Sequence, residues 1–324
     1  MPAISDDAAQ PRRRWRRRLG GLFGLSLVVL VVLLSLSFRA APLPSPPPFS
    51  AGLPKALPPA GMALFQLPTG SIVRNAAVAY RGGSFRDRRE FVMTVVLVKH
   101  PKGDLLIDTG FGREVEAHFR AMPWLFRAVT SYQKQTAAAD QLTAAHFDPS
   151  RLRGILLTHV HWDHVSGVQD FPGVAVLLPT EERRFVATGG TLSAVLRDTP
   201  DVRYKEYAFE HGPYLGFARS HDFFGDGSVV AVPAPGHTPG SVVIFVTTPD
   251  GKRRAFVGDL AWQREGITER EERPWLTRSM ADHDPERVKT SLLRMSALAQ
   301  AFPELVLVPA HDARGFADLP PLAP

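Results

Sequence analysis

The stretch that decides the fold is residues 158–167, which read THVHWDHVSG. An apolar run at 154–157 precedes it and predicts a buried strand, and Ser166 and Gly167 mark the start of a helix. The stretch contains four side chains that can donate an electron pair to a metal ion: His159, His161, Asp163 and His164. A strand end holds ligands rigidly while a loop lets them converge, so we predict a metal site here.

Three further ligand-type residues follow apolar, strand-like runs later in the chain. His237 lies in the segment PGHTPGS, Asp259 ends a Gly-Asp pair, and His311 lies in the segment PAHD. Because each stands just after a predicted strand, we expect all three on the same rim as residues 158–167. A lone histidine is usually an ordinary surface or core residue, and we interpret the histidines outside these segments in that way.

Composition excludes several classes of function. The chain of 324 residues has a net charge of +6, and residues 1–40, with seven arginines and two aspartates, carry +5 of it. The remainder is nearly neutral and offers no basic face, so we expect no nucleic-acid partner. The chain has no cysteine. Disulfides and thiolate ligands are therefore excluded, and histidine and carboxylate remain, which suit zinc.

The N-terminus predicts attachment to a membrane. Residues 1–18 are basic and include PRRRWRRR, whereas the twenty residues 19–38 contain no charge. A helix of that length is about 30 Å long, the thickness of the hydrocarbon core of a bilayer. We expect a single-pass transmembrane anchor at 19–38, with residues 1–18 in the cytoplasm and the rest on the extracytoplasmic (periplasmic) side. The alternative is a cleaved signal peptide, which would yield a secreted protein.

The next segment, residues 39–61, contains eight prolines and predicts a semi-extended linker. Residues 62–324 are enough for one large domain. In its first part we predict strands and helices from apolar alternation and helical spacing. The predicted strands are 72–80, 91–99, 105–107, 154–158 and 174–178, and the predicted helices are 113–129, 137–147 and 181–187.

The second part of this domain begins with residues 189–228, which have no clean periodicity and which we interpret as an insertion or lid. A second group of strands follows at 229–232, 241–247 and 254–257. Asp284 and the proline after it predict the start of a helix that runs to residue 300, before a last strand at 305–308. The order of elements predicts an α/β fold in which two sheets pack together with helices outside.

These segments together resemble the metallo-β-lactamase superfamily. The matching segments are THVHWDH, PGHTPGS, the Gly-Asp pair and PAHD, in this order, and the resemblance covers about residues 62–315. It implies an αββα sandwich of two mixed sheets flanked by helices. It also implies two divalent metal ions, expected to be Zn²⁺. The first would be held by His159, His161 and His237, the second by Asp163, His164 and His311, with Asp259 bridging them.

The resemblance implies hydrolysis by a hydroxide that bridges the two ions. Asp259 and Asp163 are the expected catalytic carboxylates, and Asp163 would also pass a proton to the leaving group. Asp108, in the segment DTG, matches a family position near the metals, and we expect it to orient a ligand histidine. A non-catalytic metal-binding module is the alternative from another class. It predicts missing ligands, and none is missing.

Within the superfamily, the pattern is similar to the N-acyl-homoserine lactonase branch. The similarity lies in residues 70–83, 98–103 and 105–110, and in the 22-residue step from His237 to Asp259. Flavodiiron relatives carry glutamate where this chain has His161, which disfavours a redox iron centre. Lactonases carry a tyrosine three residues after the bridging aspartate, where this chain has Trp262, and an indole cannot act as a phenol acid.

The sequence therefore predicts a membrane-anchored dinuclear zinc hydrolase with a small-molecule substrate, either a lactone or a related ester. Alternative substrates within hydrolases are a phosphotriester, a β-lactam or a thioester. Aromatic residues that would suit an acyl or aromatic substrate are equally good core residues. Those that we assign to the substrate pocket are Trp262, Phe223, Phe224 and Tyr214.

Overall fold

In the part of the chain that the structure describes, twelve strands form the centre of the protein. The computed structural model describes residues 10–323, and in its first helix it describes side chains at residue 15 and from residue 22 onward. Residues 1–9, the start of the predicted basic segment, lie outside the described residues. The strands are β1 Ala63–Asn75, β2 Arg88–Lys99, β3 Asp104–Ile107, β4 Tyr132–Lys134, β5 Leu152–Leu156, β6 Ala175–Pro179, β7 Arg203–Tyr207, β8 His221–Asp222, β9 Val229–Pro233, β10 Val242–Thr247, β11 Arg253–Gly258 and β12 Val306–Pro309.

Helices flank these strands. Short 3₁₀ helices lie at Ala76–Val78, Pro149–Arg151, Val168–Asp170 and Thr191–Ser193. The α-helices are α1 Gln10–Phe38, α2 Val115–Ala121, α3 Trp124–Val129, α4 Ala138–Ala144, α5 Trp162–Val165, α6 Thr180–Thr188, α7 Ala194–Asp198, α8 Glu265–Thr268, α9 Trp275–Ala281, α10 Pro285–Ala301 and α11 Ala313–Phe316.

The strands form two mixed sheets, as predicted. The larger sheet has the order β4-β1-β2-β3-β5-β6-β7, and the smaller one has the order β12-β11-β10-β9-β8. In the larger sheet β3, β5, β6 and β7 run parallel, and in the smaller sheet β11 and β12 do. The other pairs are antiparallel.

Alternation along the strands shows how the layers pack. In β2, Val96 and Val98 face the smaller sheet, whereas Val95 and Leu97 join the cluster that the helices cover. In β10, Ile244 faces the larger sheet and Phe245 packs towards α10. Since successive side chains point to opposite faces, a strand buried on both faces must be apolar throughout. This explains the near-continuous apolar runs in the sequence.

The helices differ from the prediction where the chain contains a proline. The predicted helix 113–129 is two helices, α2 and α3, separated at Met122 and Pro123. Proline lacks the backbone N–H that a continuous helix needs and disfavours helical backbone in the residue before it. The start of α10 follows the prediction, because the Asp284 side chain accepts a hydrogen bond from the backbone N–H of Arg287.

The prediction of a membrane anchor is wrong. One helix, α1, contains both the arginine-rich segment and the uncharged run. In the part of the chain that the structure describes, no helix combines the length and the apolarity needed to cross a bilayer. The anchor at 19–38 and the single-pass location derived from it are therefore both contradicted.

The segment that follows α1 lies against the two sheets and their loops. Its backbone pairs with loops at two points, where Leu43 N–H donates to Arg270 O at 2.8 Å and Leu57 N–H donates to Asp226 O at 2.7 Å. The segment predicted as a linker is thus held along the domain, and we give the name N-terminal strap to residues 36–57, which comprise the last residues of α1 and the chain that follows it.

Two apolar side chains of the strap pack on the core, one of them buried and the other half-buried. Leu43 is only 7% exposed and belongs to the cluster between the smaller sheet and α10. Phe49 packs against the same cluster, with its ring centroid 5.6 Å from that of Phe302 at the end of α10. The strap therefore contributes to the stability of the domain through side-chain packing as well as through backbone hydrogen bonds.

We predict that Leu43→Ala lowers the free energy of unfolding by about 2 kcal/mol, because it removes buried methyl groups and leaves a cavity. Urea unfolding of the full-length chain measures the change. Leu57→Ala is the matched control in the same strap, since Leu57 is 63% exposed. Equal unfolding midpoints for the two variants would contradict the packing of Leu43.

Candidate metal centre

Four loops at one edge of the sandwich carry the candidate ligands. The edge forms because β3, β5 and β6 end on the same side, and because Gly258 at the end of β11 pairs with Pro309 at the end of β12. Val242 N–H donates to Thr158 O at 3.0 Å and joins the two sheets there. The loops after β5, β9, β11 and β12 supply His159, His161, Asp163, His164, His237, Asp259 and His311.

The loop after β5 changes direction at His161. The backbone is extended there, with φ −75° and ψ 153°, and α5 begins at the next residue. Trp162 anchors this turn, because its ring is buried and stacks on Phe111 with centroids 5.3 Å apart. Asp163 and His164 lie on the short helix, so they leave the loop in different directions from the two histidines before it.

The ligand atoms fall into three groups. Within each group, all the ligand atoms lie within 4.8 Å of one another. Every predicted ligand belongs to at least one group. The groups are His159, His161 and His237; His159, His164 and Asp259; and Asp163, His164 and His311.

Asp259 lies between the first and last of these groups. Its Oδ1 is 3.3 Å from His164 Nε2 and 3.1 Å from His311 Nε2. Its Oδ2 is 3.4 Å from His237 Nε2. The two oxygens of one carboxylate thus face histidines on opposite sides of the centre.

Three of the ligand atoms are buried and make no hydrogen bond of acceptable geometry with any described residue, although Asp259 Oδ1 lies within 3.3 Å of two histidine nitrogens. They are His159 Nε2, His164 Nε2 and Asp259 Oδ1, and the three residues form one of the groups above. A buried polar atom without a partner costs free energy, so convergence of three indicates a missing binding partner. Imidazole and carboxylate donors fit a divalent ion such as zinc, and the residues therefore fit the metal centre that the sequence implies.

Hydrogen bonds fix the orientation of the ligand histidines. Asp108 accepts from His164 Nδ1 at 2.8 Å and from Thr158 N–H at 2.7 Å. His311 Nδ1 lies 3.0 Å from Val92 O. In both rings Nε2 is consequently the nitrogen that faces the centre. Asp108 adopts φ 57°, which a residue other than glycine rarely does, and such strain is typical of functional sites.

The electrostatics favour the metal-binding forms of His159, His161 and Asp259, whereas at His164 and His311 the neighbouring carboxylates outweigh burial and raise the pKa of the ring. Burial lowers the pKa of His159 and of His161 well below the ordinary value for histidine, so both imidazoles are neutral. Burial alone would raise the pKa of Asp259, but the imidazoles of His311 and His164 hold it well below its usual range. A neutral imidazole and an ionised carboxylate are the forms that bind metal.

Comparison with known proteins identifies the family. Residues 88–311 match the family described as the metallo-beta-lactamase superfamily. The chain belongs to this superfamily. It is a metal-dependent hydrolase of the metallo-β-lactamase fold, as the sequence segments predicted.

Individual relatives agree with this membership. A probable metallo-hydrolase of Mycobacterium bovis is 30% identical over 238 residues, which cover 67% of this chain and 74% of that protein. The N-acyl homoserine lactonase AttM of Rhizobium radiobacter is 26% identical over 182 residues, which cover 53% of this chain and 66% of the lactonase.

A solved structure shares the fold. It is the structure of an N-acyl homoserine lactone hydrolase with the product N-hexanoyl-L-homoserine bound at its catalytic metal centre. This structure superposes on the present chain with a TM-score of 0.63 at 17% identity. The superposition covers 80% of this chain and 96% of that one. At this identity the likeness shows the metallo-β-lactamase fold alone.

Sequence reasoning missed a buried glutamate that joins two ligand loops of this superfamily member. Glu182 in α6 accepts from Val160 N–H and Gly240 N–H, each at 2.8 Å, and burial raises its pKa to about 7. Gly240 is required there, because a Cβ would lie 2.3 Å from Glu182 N. Nothing in the sequence separates Glu182 from its exposed neighbour Glu181. A second carboxylate that the sequence did not reveal is Asp282, which contacts the ring of His237.

The structure separates the four residues that we predicted for the substrate pocket. Trp262 lies at the metal centre, where its Nε1 donates to Asp259 Oδ2 at 2.7 Å. Phe223 and Phe224 line a separate cavity of about 310 Å³. Tyr214 is buried in the core, with its ring centroid 5.4 Å from that of Phe245.

We predict that Asp108→Asn weakens zinc binding by about 10–100-fold, because an amide cannot accept both the His164 and the Thr158 hydrogen bonds. Competition with a chromophoric chelator measures the affinity. Asp104→Asn is the matched control, since Asp104 is equally buried in β3 but bonds to His100 N–H and Arg151. If the two variants lost affinity equally, the role of Asp108 would be disproved.

Proposed function

We propose that the protein is a dinuclear zinc hydrolase that acts on a lactone or a related ester. The observation that carries the proposal is the position of Asp259, whose two oxygens face His164 and His311 on one side and His237 on the other. A carboxylate in this position can be shared by two ions. We assign His159, His161 and His237 to the first ion, and Asp163, His164 and His311 to the second.

Two bound divalent ions would supply a water molecule of lowered pKa and an electrophile for the carbonyl oxygen. In the hydrolysis, water adds its oxygen to the acyl carbon, the bond from that carbon to the ester oxygen breaks, and the ester oxygen leaves with a proton. The protein must therefore hold the acyl carbon near the ligands and deliver the proton to the leaving oxygen.

Asp163 is suited to handling that proton. Its side chain is 13% exposed, whereas those of Asp259 and His311 are each 5% exposed. It is thus the more open of the two ligand carboxylates. Its Oδ2 lies 3.5 Å from His311 Nε2, at the margin of the centre. We assign to Asp163 the transfer of the proton to the leaving oxygen, and to Asp259 the holding of both ions.

Trp262 stands where the lactonases carry a tyrosine, three residues after the bridging aspartate, but its role is different. Its N–H donates to Asp259 at 2.7 Å, and its ring packs edge-on against Phe91 with centroids 6.1 Å apart. An indole has no acidic proton to give to a leaving group. Trp262 therefore orients the carboxylate of Asp259, and proton transfer depends on Asp163 alone.

A groove beside the centre offers room for the acyl arm of a substrate. It has a volume of about 580 Å³ and is lined by residues that include Phe185, Pro239 and His283. Pro239 lies two residues after His237, and His283 N–H donates to His237 O at 3.1 Å. The groove thus shares a wall with the ligand loop. The lactonase AttM among the relatives supports an acylated lactone as the first substrate class to test.

We predict that the full-length protein binds about two equivalents of zinc, and that Asp259→Ala lowers this to one or less and abolishes turnover, because the shared ligand is lost. Metal analysis after dialysis gives the stoichiometry. Asp198→Ala, which removes a carboxylate whose side chain is 69% exposed, is the control and should retain both ions. One equivalent with full activity in the unmodified protein would disprove the two-ion centre.

Initial rates on a substrate panel test the reaction. The panel contains N-acyl homoserine lactones, simple esters, a thioester, a β-lactam and a phosphotriester, with Asp259→Ala as the background. We predict that lactones are hydrolysed at least about tenfold faster than the other classes, because the site must distinguish both the ring and the acyl arm. A faster phosphotriester or β-lactam would overturn the lactone assignment and leave the metal stoichiometry unaffected.

A further inference from the structure

The loop that precedes α10 brings a buried ion pair to the back of the metal centre. The loop comprises residues 270–283 and includes α9. It carries Arg273 and Asp282, whose side chains are 3% and 1% exposed. Neither residue belongs to the four ligand-bearing motifs (THVHWDH, PGHTPGS, the Gly-Asp pair and PAHD), and neither is among the grouped ligands.

Asp282 holds the ring of His237 from behind. Its Oδ1 lies 2.9 Å from His237 Nδ1. The other ring nitrogen, Nε2, faces the centre, where it is 2.8 Å from His161 Nδ1. A carboxylate on Nδ1 places the proton of the neutral ring there, and the lone pair of Nε2 is then free for a metal ion.

Arg273 holds Asp282 and, at the same time, the backbone of Asp259. Its Nη2 pairs with Asp282 Oδ1, and its Nε donates to Oδ2 at 3.3 Å. Its Nη1 donates to Asp259 O at 2.8 Å. The planar guanidinium therefore fixes the position of Asp282, which contacts His237, relative to the main chain at Asp259.

The charge of Arg273 explains why Asp282 supports a ligand histidine and is not itself a metal ligand. With a guanidinium on both of its oxygens, the charge of Asp282 is neutralised, and its oxygens belong to none of the three ligand groups although it lies next to a ligand. A buried ion pair contributes little net stability compared with apolar side chains of similar size. Its burial here is better explained by the orientation that it imposes on two ligands.

The N-terminal strap holds the outer side of the same loop. Trp275 N–H donates to Ser37 Oγ at 2.7 Å, and Ala41 N–H donates to Glu271 Oε2 at 3.0 Å. The loop is thus fixed between the strap on one side and the metal centre on the other.

We propose that Asp282 and Arg273 are positioning residues that act through His237 and Asp259 to set the affinity of the first metal site. The inference rests on the proposed metal centre and is independent of the substrate. It goes beyond the ligand set because it places a determinant of metal affinity in a loop that contributes no ligand.

The test replaces the pair by apolar side chains of similar size, Arg273→Met together with Asp282→Leu, in the full-length chain. Zinc affinity is measured by chelator competition, and stability is measured by urea unfolding of the metal-free protein. We expect one equivalent to bind about 10–100-fold more weakly, with a metal-free unfolding midpoint close to that of the unmodified chain. The matched control is the pair Arg278→Met with Glu272→Leu, an ion pair of the same loop that contacts no ligand.

Asp282→Asn provides a second measurement that does not depend on the double variant. Its side chain keeps an oxygen for His237 Nδ1, so its loss of affinity should be smaller than that of Asp282→Leu alone. The visible spectrum of the cobalt-loaded protein reports the change in ligand geometry separately from folding. Unchanged affinity and an unchanged cobalt spectrum in the double variant would overturn the inference.

The outcomes distinguish this inference from the proposed function. If the unmodified protein binds one ion and the double variant binds it more weakly, the two-ion centre fails and the positioning role stands. If the unmodified protein binds two ions and the double variant binds both equally well, the positioning role fails and the two-ion centre stands.

Discussion

The rest of the structure depends on one constraint. Ligand atoms must be kept buried, without hydrogen-bond partners, at the edge where the two sheets end. His159 Nε2, His164 Nε2 and Asp259 Oδ1 are held there against the free-energy cost of leaving polar atoms unsatisfied. Strands buried on both faces supply backbone rigid enough to sustain that cost. Around the centre, Asp108 and Asp282 each occupy the outer nitrogen of a ligand ring. The scaffold thus determines which atoms remain available to a metal.

The parts of the protein that could be predicted from sequence are those in which the signal is local. The stretch from His159 to His164 concentrates metal-binding side chains in one loop, and the apolar run before it predicts the strand that positions them. Superfamily membership followed from four such segments in order. The two-sheet architecture followed from the spacing of apolar runs, since β-strands buried on both faces leave continuous apolar sequence. Even the start of α10 could be assigned, because Asp284 and the proline after it form a local capping pattern.

What could not be predicted depends on contacts between residues far apart in the chain. Glu182 supports Val160 and Gly240, and Asp282 supports His237, but an isolated acidic residue on a helix or a loop carries no sign of such a partner. Composition was misleading at the N-terminus. An uncharged run suggested a membrane span that the described residues do not form. The proline-rich segment suggested a spacer, whereas its residues pack against the domain. This packing could not be predicted, because composition does not reveal which apolar side chain will meet a complementary surface.

The prolines of the strap have a thermodynamic consequence. Leu43 stands between Pro42 and Pro44, and Phe49 follows three consecutive prolines. A proline ring fixes φ and also restricts the residue before it, so this segment has few conformations to lose when the protein folds. An irregular stretch of chain can consequently be ordered by one buried side chain, one half-buried side chain and a few backbone hydrogen bonds. The low conformational entropy of the unfolded strap explains how its part after Phe38, which forms no helix or strand, remains in place beside the loop that supports His237.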